Sequence, residues 1–349
     1  MKVTIDDVAR RAGVSASTVS RALSGKGNLA PETVDLVRRV ADELGYVPRK
    51  YTRKEAEQAG GTVSLLISGF HDLQNNTFYS QIVAGVESVL AGANYRLLFK
   101  TISGTLSEDR EVIDELVPTQ DGIVLVGYEV DVEVIARIKE FRKPFVLVDN
   151  DCWALNIDTV TNDNLSGARR LVTHLIELGH SRIGFVGGPY THVSLDERYN
   201  GYKQALKNAG LEKPADCIAF AAPQFDTEHG YAVALKMLRR ASELPTAVFA
   251  ANDALAIGVI KAARELGLRV PEDLSVAGFD DIEMSRYITP ALTTVRVHQY
   301  EMGMEAGKRL LDLIRGEVTK PLKIVLSTEL VIRKSTAAPA RKKTPQRIA

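Results

Sequence analysis

Residues 4–24 read TIDDVARRAGVSASTVSRALS, and this stretch decides the architecture of the N-terminal part of the chain. Thr4 stands three residues before Asp7, which is the spacing of a capping box at the start of a helix. Gly13 interrupts the helical pattern, as glycine commonly does at a helix end. Ser15 can then cap a second helix that runs to the end of the stretch. The sequence therefore predicts two short helices joined by a tight turn, which is the outline of a helix-turn-helix.

The second of these helices carries side chains suited to reading DNA. In a helix-turn-helix, the second helix lies in the major groove and its N-terminal residues reach base edges. Ala16, Ser17 and Arg21 share its outward face, and Arg21 can form a bidentate pair with guanine. Short polar side chains that suit phosphate oxygens are Thr4, Thr18, Ser20 and Asn28. On pattern alone, an ordinary helix surface in a three-helix bundle remains an equal alternative.

A third helix completes the predicted head domain, residues 1–47. Pro31 favours a first helical turn. The apolar residues that follow recur at close to the helical spacing of 3.6, at Val34, Val37, Val40, Ala41 and Leu44. Residues 48–60 are polar and basic, then acidic, and end in glycine. We interpret them as a hinge or linker.

The remainder of the chain alternates short apolar runs with amphipathic helical stretches. The runs form two sets: VSLLIS (63–68), YRLLF (95–99), GIVLVG (122–127) and FVLVD (145–149), then RIGFVGG (182–188), CIAFAA (217–222), TAVFAA (246–251) and LSVAGFD (274–280). Apolar strands without strict alternation indicate parallel sheets covered on both faces. Two such sets predict an α/β body made of two Rossmann-like lobes, with a ligand cleft between them.

The expected boundaries of this body are residues 61–335. We place lobe one at about 61–160 and 290–319, and lobe two at about 161–289 and 320–335. The tail, 336–349, is rich in Ala, Pro, Lys and Arg. That composition predicts a disordered basic tail.

Composition and charge narrow the class of protein. The 349 residues carry no net charge, but residues 1–60 carry +3, the tail after Thr336 +4, and the remainder −7. Basic ends on an acidic body fit a polyanion partner that the N-terminal part contacts. The two cysteines give no disulfide framework or metal spacing. The N-terminus lacks an apolar leader and no run approaches ~20 apolar residues, so we expect a cytoplasmic protein, associated with the nucleoid, without a membrane segment.

Polar residues at strand ends predict where a small molecule binds. Asp149, Asn252 and Asp280 each come directly after an apolar strand, and Arg198 opens a helix after a Gly-Gly-Pro turn. Carboxylates and amides beside an arginine suit sugar hydroxyls. The alternative is that strand-end residues merely cap the following helices, and for the neighbouring residues Asp253 and Asp281 we expect capping.

Aromatic rings complete the predicted cleft. Tyr79 or Phe225 could cover the face of a sugar ring. His174 and His180 are six residues apart, which is poor spacing for a metal, so we expect them to be structural. No phosphate-binding glycine loop follows a strand. We therefore expect neither a metal nor a cofactor.

Motifs from both parts of the chain together resemble one family. The segment TIDDVARRAGVSASTVSRALSGKGNLAPETVDLVRRVADELGYVP (4–48) is similar to the N-terminus of the LacI family of bacterial regulators. The resemblance continues, in the right order, through ELGHSRIGFVGGP (177–189), RYNGYKQAL (198–206), PTAVFAANDALAIGVIKAARELGLRVPEDLSVAGFDD (245–281) and YITPALTTV (287–295). It implies an all-α head on a two-lobed effector domain of the periplasmic-binding-protein type I.

The resemblance also implies roles for individual residues. By position, Ala16, Ser17 and Arg21 match base readers, and Thr4, Thr18 and Ser20 match phosphate contacts. Arg198, Asn252 and Asp280 look like the family's effector-contacting arginine, asparagine and aspartate. Tyr79 matches a pocket aromatic of several relatives, and Phe225 does so more weakly.

The linker departs from the family pattern at one position. Many relatives carry a leucine there that wedges into the minor groove and bends the operator. In this chain Glu55 occupies that position, and an acid would repel phosphates. Arg53 still matches a basic position, so the linker can dock by charge. We therefore hypothesise less central bending of the operator than leucine-wedge relatives produce.

These observations predict a sequence-specific transcription regulator, a repressor controlled by a small effector, and the polar cleft indicates a sugar. A short recognition helix reads few base pairs, so we expect a homodimer on a palindromic double-stranded operator. An activator, or a corepressor-dependent regulator with a nucleoside-type effector, is the alternative within the class.

Two other classes of protein share features of this sequence. A sugar-active enzyme could have the same two-lobed body, but no nucleotide loop, GxSxG elbow or metal cluster is present. A periplasmic sugar-binding protein is disfavoured by the helix-turn-helix and by the missing export signal. Turnover of a bound compound would support the enzyme, and periplasmic location would support the binding protein.

Overall fold

The computed structural model describes residues 4–24, 29–44, 60–68, 77–128, 130–152, 154–189, 192–222 and 224–340. The chain divides into two compact units, Met1–Ala59 and Gly60–Ala349.

The head consists of helices α1 (Ile5–Ala12), α2 (Ala16–Ser24) and α3 (Pro31–Glu43). The predicted capping box is confirmed, because the Asp7 carboxylate accepts from Thr4 N at 2.9 Å and the Asp7 N–H donates to the Thr4 hydroxyl. Gly13 ends α1 with a φ of +69°, a left-handed conformation that favours glycine. The three helices bury a small core, to which the predicted face of α3 contributes: Val8, Ala9, Ala12, Val19, Ala22, Val37, Val40 and Ala41.

The body alternates strands and helices. Its helices are α4 (Thr77–Gly92), α5 (Leu106–Leu116), α6 (Val132–Glu140), α7 (Asn164–Glu177), α8 (Val193–Asn208), α9 (Thr227–Arg240), α10 (Asp253–Glu265), α11 (Met284–Tyr287) and α12 (Gln299–Arg315). Its strands are β1 (Thr62–Ser68), β2 (Arg96–Ile102), β3 (Gly122–Val126), β4 (Phe145–Val148), β5 (Asp158–Asn162), β6 (Ile183–Gly187), β7 (Ile218–Phe220), β8 (Ala247–Ala250), β9 (Ser275–Ala277), β10 (Thr294–Arg296), β11 (Lys323–Leu326) and β12 (Glu329–Val331).

These strands form two parallel sheets, as the two sets of apolar runs predict. The first sheet has the order β11-β5-β4-β3-β1-β2, and the second has the order β7-β6-β8-β9. All pairings within them are parallel. Strands β10 and β12 pair antiparallel, and the isolated bridges Ala277–Thr293 and Asp280–Arg296 connect the β10 segment to the end of β9 in the second sheet. Each sheet is the core of one lobe.

The chain passes between the lobes at three places in the described residues: 162–164, 296–299 and 326–329. This corrects two of the expected boundaries. Residues 290–319 were assigned to lobe one, but β10 lies with the second sheet. Residues 320–335 were assigned to lobe two, but β11 pairs with β5 in the first sheet. The sequence did not reveal this because β10, β11 and β12 are short and come after the regular strand–helix alternation has ended.

The start of the expected disordered tail is also corrected. Residues 336–340 lie against lobe two: the Ala337 carbonyl accepts from the Ser275 hydroxyl at 3.1 Å and lies 2.9 Å from His180 Nε2, and the Thr336 hydroxyl lies 2.9 Å from that of Thr293. Their backbone groups continue the edge interactions of the second sheet, which composition alone cannot predict. The rest of the tail, 341–349, lies outside the described residues.

Candidate functional site

The recognition face of α2 presents two of its three predicted base readers. Ser17 and Arg21 are exposed, and Arg21 Nε donates to the Ser17 carbonyl at 3.3 Å. Ala16 is instead half-buried against the head's core. The exposed side chains of this face are therefore the polar ones.

The predicted phosphate contacts act as local caps in the structure. Thr4 Oγ1 donates to the Asp7 carboxylate at 2.6 Å. Thr18 N donates to the Ser15 hydroxyl, which also lies 2.8 Å from the Thr18 hydroxyl. Asn28, Arg53, Glu55 and the side chain of Ser20 lie outside the described residues, so their predicted roles stay predictions.

The centre of the cleft is Arg198, which is 3% exposed. It projects from α8, and its guanidinium lies 4.0 Å above the centroid of the Phe279 ring. Its Nε donates to Asn164 Oδ1 at 3.0 Å, and its Nη1 donates to the Ala251 carbonyl at 2.8 Å. Its Nη2 forms an ion pair with Asp280 Oδ1 at 2.9 Å. The stacking and these contacts hold the guanidinium against Asn164, Ala251 and Asp280.

Two strand-end carboxylates flank this arginine. Asp149 follows β4 and accepts from the hydroxyls of Tyr79, at 2.9 Å, and Ser194, at 3.2 Å. Burial raises the pKa of Asp149 and of Asp280 to about 6, although the charge of Arg198 lowers both. Together these residues make a buried cluster in which acidic groups outnumber the cation.

Both carboxylates stand on unusual backbone. The φ angles of Asp149 and Asp280 are +58° and +115°. Non-glycine residues rarely adopt such angles, and strain of this kind concentrates at functional sites. These backbone angles turn each carboxylate from its strand end into the cleft.

Three aromatic rings from both lobes meet at the mouth of the cleft. Tyr128, which follows β3, stacks on His192 with centroids 4.1 Å apart, and Phe225 meets both rings edge-on. Burial and the charge of Arg198 hold the pKa of His192 at about 3, so the ring is neutral. The sequence predicted Phe225 but missed Tyr128, His192 and Ser194. Tyr128 follows β3, His192 is the N-cap of α8 and Ser194 lies in the first turn of that helix. Hydrophobic periodicity gives no signal for such positions.

Two buried polar atoms near these strand ends receive no hydrogen bond from the described residues. They are Ser68 Oγ at the end of β1 and His192 Nδ1. Buried polar groups are nearly always paired in folded proteins. Atoms left unpaired at the carboxyl ends of parallel strands indicate where a polar ligand would bind.

Asn252 lies at the same edge, but its side chain caps α10. Its Oδ1 accepts from Leu255 N at 2.8 Å, and its Nδ2 donates to the Phe225 carbonyl at 3.3 Å. Asn252 is therefore a helix cap in this structure, and its amide also holds the main chain of Phe225.

The expected capping by Asp253 and Asp281 is wrong. Asp253 accepts from Ile282 N and from the hydroxyls of Ser285 and Thr294, so it ties together chain segments far apart in sequence. The side chain of Asp281 is 1% exposed and forms ion pairs with three arginines: Arg286, Arg296 and Arg333. Both carboxylates satisfy long-range donors, which a local pattern cannot reveal.

The described residues contain no group of His, Cys, Asp or Glu that could hold a metal ion. None of the described helices combines the length and the apolar character needed to cross a bilayer.

The helix-turn-helix head and the two-lobed body with a polar cleft define a DNA-binding transcription regulator. Two family models match the chain: bacterial regulatory proteins of the lacI family over residues 4–49, and a periplasmic binding protein-like domain over 172–336. The chain is 34% identical over 338 residues to the HTH-type transcriptional repressor CytR of Escherichia coli K12, covering 96% of each chain.

Solved structures give the same result. The transcriptional regulator CelR–cellobiose complex matches with a TM-score of 0.73 at 32% identity, over 96% of this chain and all of that one. The lac repressor dimer bound to operator and the anti-inducer ONPF matches with a TM-score of 0.72 at 27% identity, over 97% of this chain and all of that one. The chain belongs to the LacI family of bacterial transcription regulators, which is a family of regulators rather than enzymes.

Proposed function

We propose that this protein is a repressor whose binding to an operator is controlled by a sugar bound between the lobes. One observation carries the effector assignment: the buried guanidinium of Arg198 and the buried carboxylates of Asp149 and Asp280 lie at strand ends, where Ser68 Oγ and His192 Nδ1 receive no hydrogen bond from the described residues. Sugar hydroxyls can donate to carboxylates and accept from a guanidinium, and a sugar would therefore satisfy all of these groups. The cellobiose in the CelR complex is a precedent within the family.

Each cleft residue has a proposed role. Asp149 and Asp280 accept from ligand hydroxyls, and Arg198 donates to ligand oxygens. Phe225 covers a face of the ring. Tyr79 positions the Asp149 carboxylate through its hydrogen bond. Asn252 positions Phe225 by donating to its carbonyl.

The DNA target is proposed from the recognition face. Ser17 and Arg21 read base edges, with Ala16 offering at most a methyl contact. Thr4, Thr18, Ser20, Asn28 and Arg53 contact phosphates. The target is a palindromic operator in the cytoplasm, at the nucleoid.

A homodimer suits a palindrome, and the body offers apolar surface for one. Met284 is 56% exposed and Tyr287 73% exposed on α11, and edge strand β2 exposes Leu98 and Phe99. Large exposed apolar side chains in neighbouring positions are typical of protein interfaces. We propose that these surfaces bury one another in the dimer.

A nucleoside-type effector is the second candidate, and the aromatic cluster favours it. Tyr128, His192 and Phe225 could rearrange to stack on a planar base. In that case the effector could act as a corepressor, or the protein as an activator, because the sign depends on which lobe arrangement binds the operator.

A thermal-shift screen tests the effector class. Cellobiose, D-ribose and a panel of nucleosides are added to wild type, to Arg198→Ala, and to Arg239→Ala as a control with an exposed arginine in the same lobe. A ligand at 100 times its Kd stabilises the folded state by about 2.7 kcal/mol. We expect a sugar to stabilise wild type and Arg239→Ala but not Arg198→Ala. Stabilisation by nucleosides alone would favour the second candidate, and equal stabilisation of Arg198→Ala would remove Arg198 from the site.

A further inference from the structure

The amide of Asn164 occupies the first passage between the lobes. The residue is 1% exposed and begins α7, immediately after β5 ends in the other lobe. Its Oδ1 accepts from Arg198 Nε at 3.0 Å. Its Nδ2 donates to the Asn162 carbonyl at 3.2 Å and to Glu197 Oε2 at 3.1 Å. One side chain thus connects the central arginine of the cleft to the main chain of the hinge.

Glu197 extends this connection toward lobe one. It lies on α8, next to Arg198, and burial raises its pKa while the Asn164 hydrogen bond and the charge of Lys323 lower it. Lys323 belongs to β11 in lobe one and pairs with Asp151 at 2.7 Å. Lys323 of lobe one therefore lies close enough to Glu197 of lobe two for its charge to favour the ionised carboxylate.

The first and third passages between the lobes are also bonded to each other. Asp163 N donates to the Leu326 carbonyl at 2.9 Å, and Arg170 Nη2 donates to the Thr328 carbonyl at 2.8 Å. A shift of the main chain at 162–164 must therefore be shared by the passage at 326–329. The connecting segments 162–164 and 326–329 are therefore expected to move together next to Asn164.

We propose that Asn164 is a positioning residue that couples the orientation of Arg198 to the angle between the lobes. The ligand-dependent part rests on the proposed function, in which the effector contacts Arg198. When the guanidinium turns toward an effector, the Nε–Oδ1 hydrogen bond moves the Asn164 amide. That amide is bonded to the Asn162 carbonyl and to Glu197, so the main chain of the hinge and the Glu197 side chain adjust with it. Without this amide, ligand binding and lobe movement become independent.

The first test needs no ligand. Spin labels are placed on cysteines introduced at Lys139 in lobe one and Lys236 in lobe two, both exposed; the native cysteines are buried. Double electron–electron resonance then measures the distance distribution between the lobes. We expect Asn164→Ala to broaden it. The control is Asn200→Ala, whose amide donates to Asp196 on the same helix, and it should leave the distribution unchanged. A wild-type distribution in Asn164→Ala would overturn the proposal.

Two variants distinguish a loss of coupling between Arg198 and the hinge from a general destabilisation of the fold. Asn164→Asp keeps an acceptor for Arg198 but cannot donate to Glu197, and the two carboxylates repel. Adding Glu197→Gln returns a donor to that contact. We expect Asn164→Asp to broaden the distribution and the double variant to narrow it again. Broadening that persists in a folded double variant would contradict the relay through Glu197.

A third arm uses the probes cellobiose and D-ribose. For a probe that stabilises wild type, we expect Asn164→Asp to bind within severalfold of wild type but to lose the probe-induced change in distance. An unchanged distance response would contradict the proposal. If neither probe binds wild type, the sugar assignment is wrong, and the ligand-free measurement still decides the role of Asn164.

Discussion

Asp149 and Asp280 give the cleft a pH dependence that can be measured. Burial raises the pKa of each carboxyl to about 6. A ligand whose hydroxyls donate to these oxygens prefers the ionised form, so binding and deprotonation favour each other. Effector affinity should therefore weaken as pH falls through about 6, by at most about tenfold per pH unit for each proton involved. Isothermal titration calorimetry between pH 8 and pH 5 measures this.

The control for this prediction is Asp280→Asn, which removes one titrating group. Its affinity should be lower at pH 8 and should change less with pH than that of wild type. His192, with a pKa of about 3, stays neutral throughout the range and contributes no slope. A pH-independent affinity in wild type would contradict the assignment of the carboxylates as ligand acceptors.

Arg21 should carry most of the base discrimination of the head. A bidentate arginine–guanine pair is worth about 1–3 kcal/mol of discrimination. Selection of binding sites from random duplexes, followed by affinity measurements on single-base variants, should show Arg21→Ala losing preference at one base pair of each half-site. Arg38→Ala, an exposed arginine on α3, serves as the control. Equal losses in the two variants would mean that Arg21 contributes only charge.

At the level of single residues, sequence reasoning found the centre of the cleft but not its surroundings. The rule that ligands bind at the carboxyl ends of parallel strands predicted that Asp149 and Asp280 lie near Arg198. In the structure Asp280 forms an ion pair with Arg198, and the charge of Arg198 lowers the pKa of Asp149. It could not find Asn164, whose partners Glu197 and Arg198 lie 33 and 34 residues away. Nor could it separate Asn252, which caps a helix, from its neighbour Asp253, which does not.

At the level of helices, the packing of α4 on α12 depends on close backbone approach. A Cβ added at Gly85 would lie 2.1 Å from the Tyr300 carbonyl oxygen, whereas one at Gly92 on the same helix would meet nothing within 4 Å. Gly85→Ala should therefore destabilise the body by about 1–3 kcal/mol through overpacking. Gly92→Ala should be neutral or stabilise by up to about 1 kcal/mol. Thermal unfolding compares the two, and equal midpoints would contradict the close approach.

Strand β5 shows why the sequence pattern did not predict part of the fold. Its residues, DTVTN (158–162), are mostly polar, yet the strand is buried between β4 and β11. The Asp158 carboxylate is satisfied by Arg309 Nε at 2.6 Å and by Leu322 N at 2.9 Å. Apolar runs reveal strands whose stability comes from burial. A strand whose polar groups are paired by residues about 150 positions later carries no such signal.

At the level of the whole molecule, the linker sequence predicts the shape of the bound operator. Glu55 stands at the position of the usual apolar wedge, and unstacking a base step requires an apolar side chain there. A circular-permutation assay should show little central bending. Glu55→Leu should increase the bend, and Glu57→Leu, two residues along, should not. A sharp central kink in wild type would contradict the prediction.

The central claim is that the cluster around Arg198 controls operator binding from within the body. It is tested most directly by measuring operator affinity for wild type and Arg198→Ala, each with and without the effector found by thermal shift. The account predicts equal affinities without effector, a change of roughly 5–150-fold in wild type on adding it, and no change in Arg198→Ala. Loss of ligand-free operator binding in the variant, or an undiminished response to effector, would contradict it.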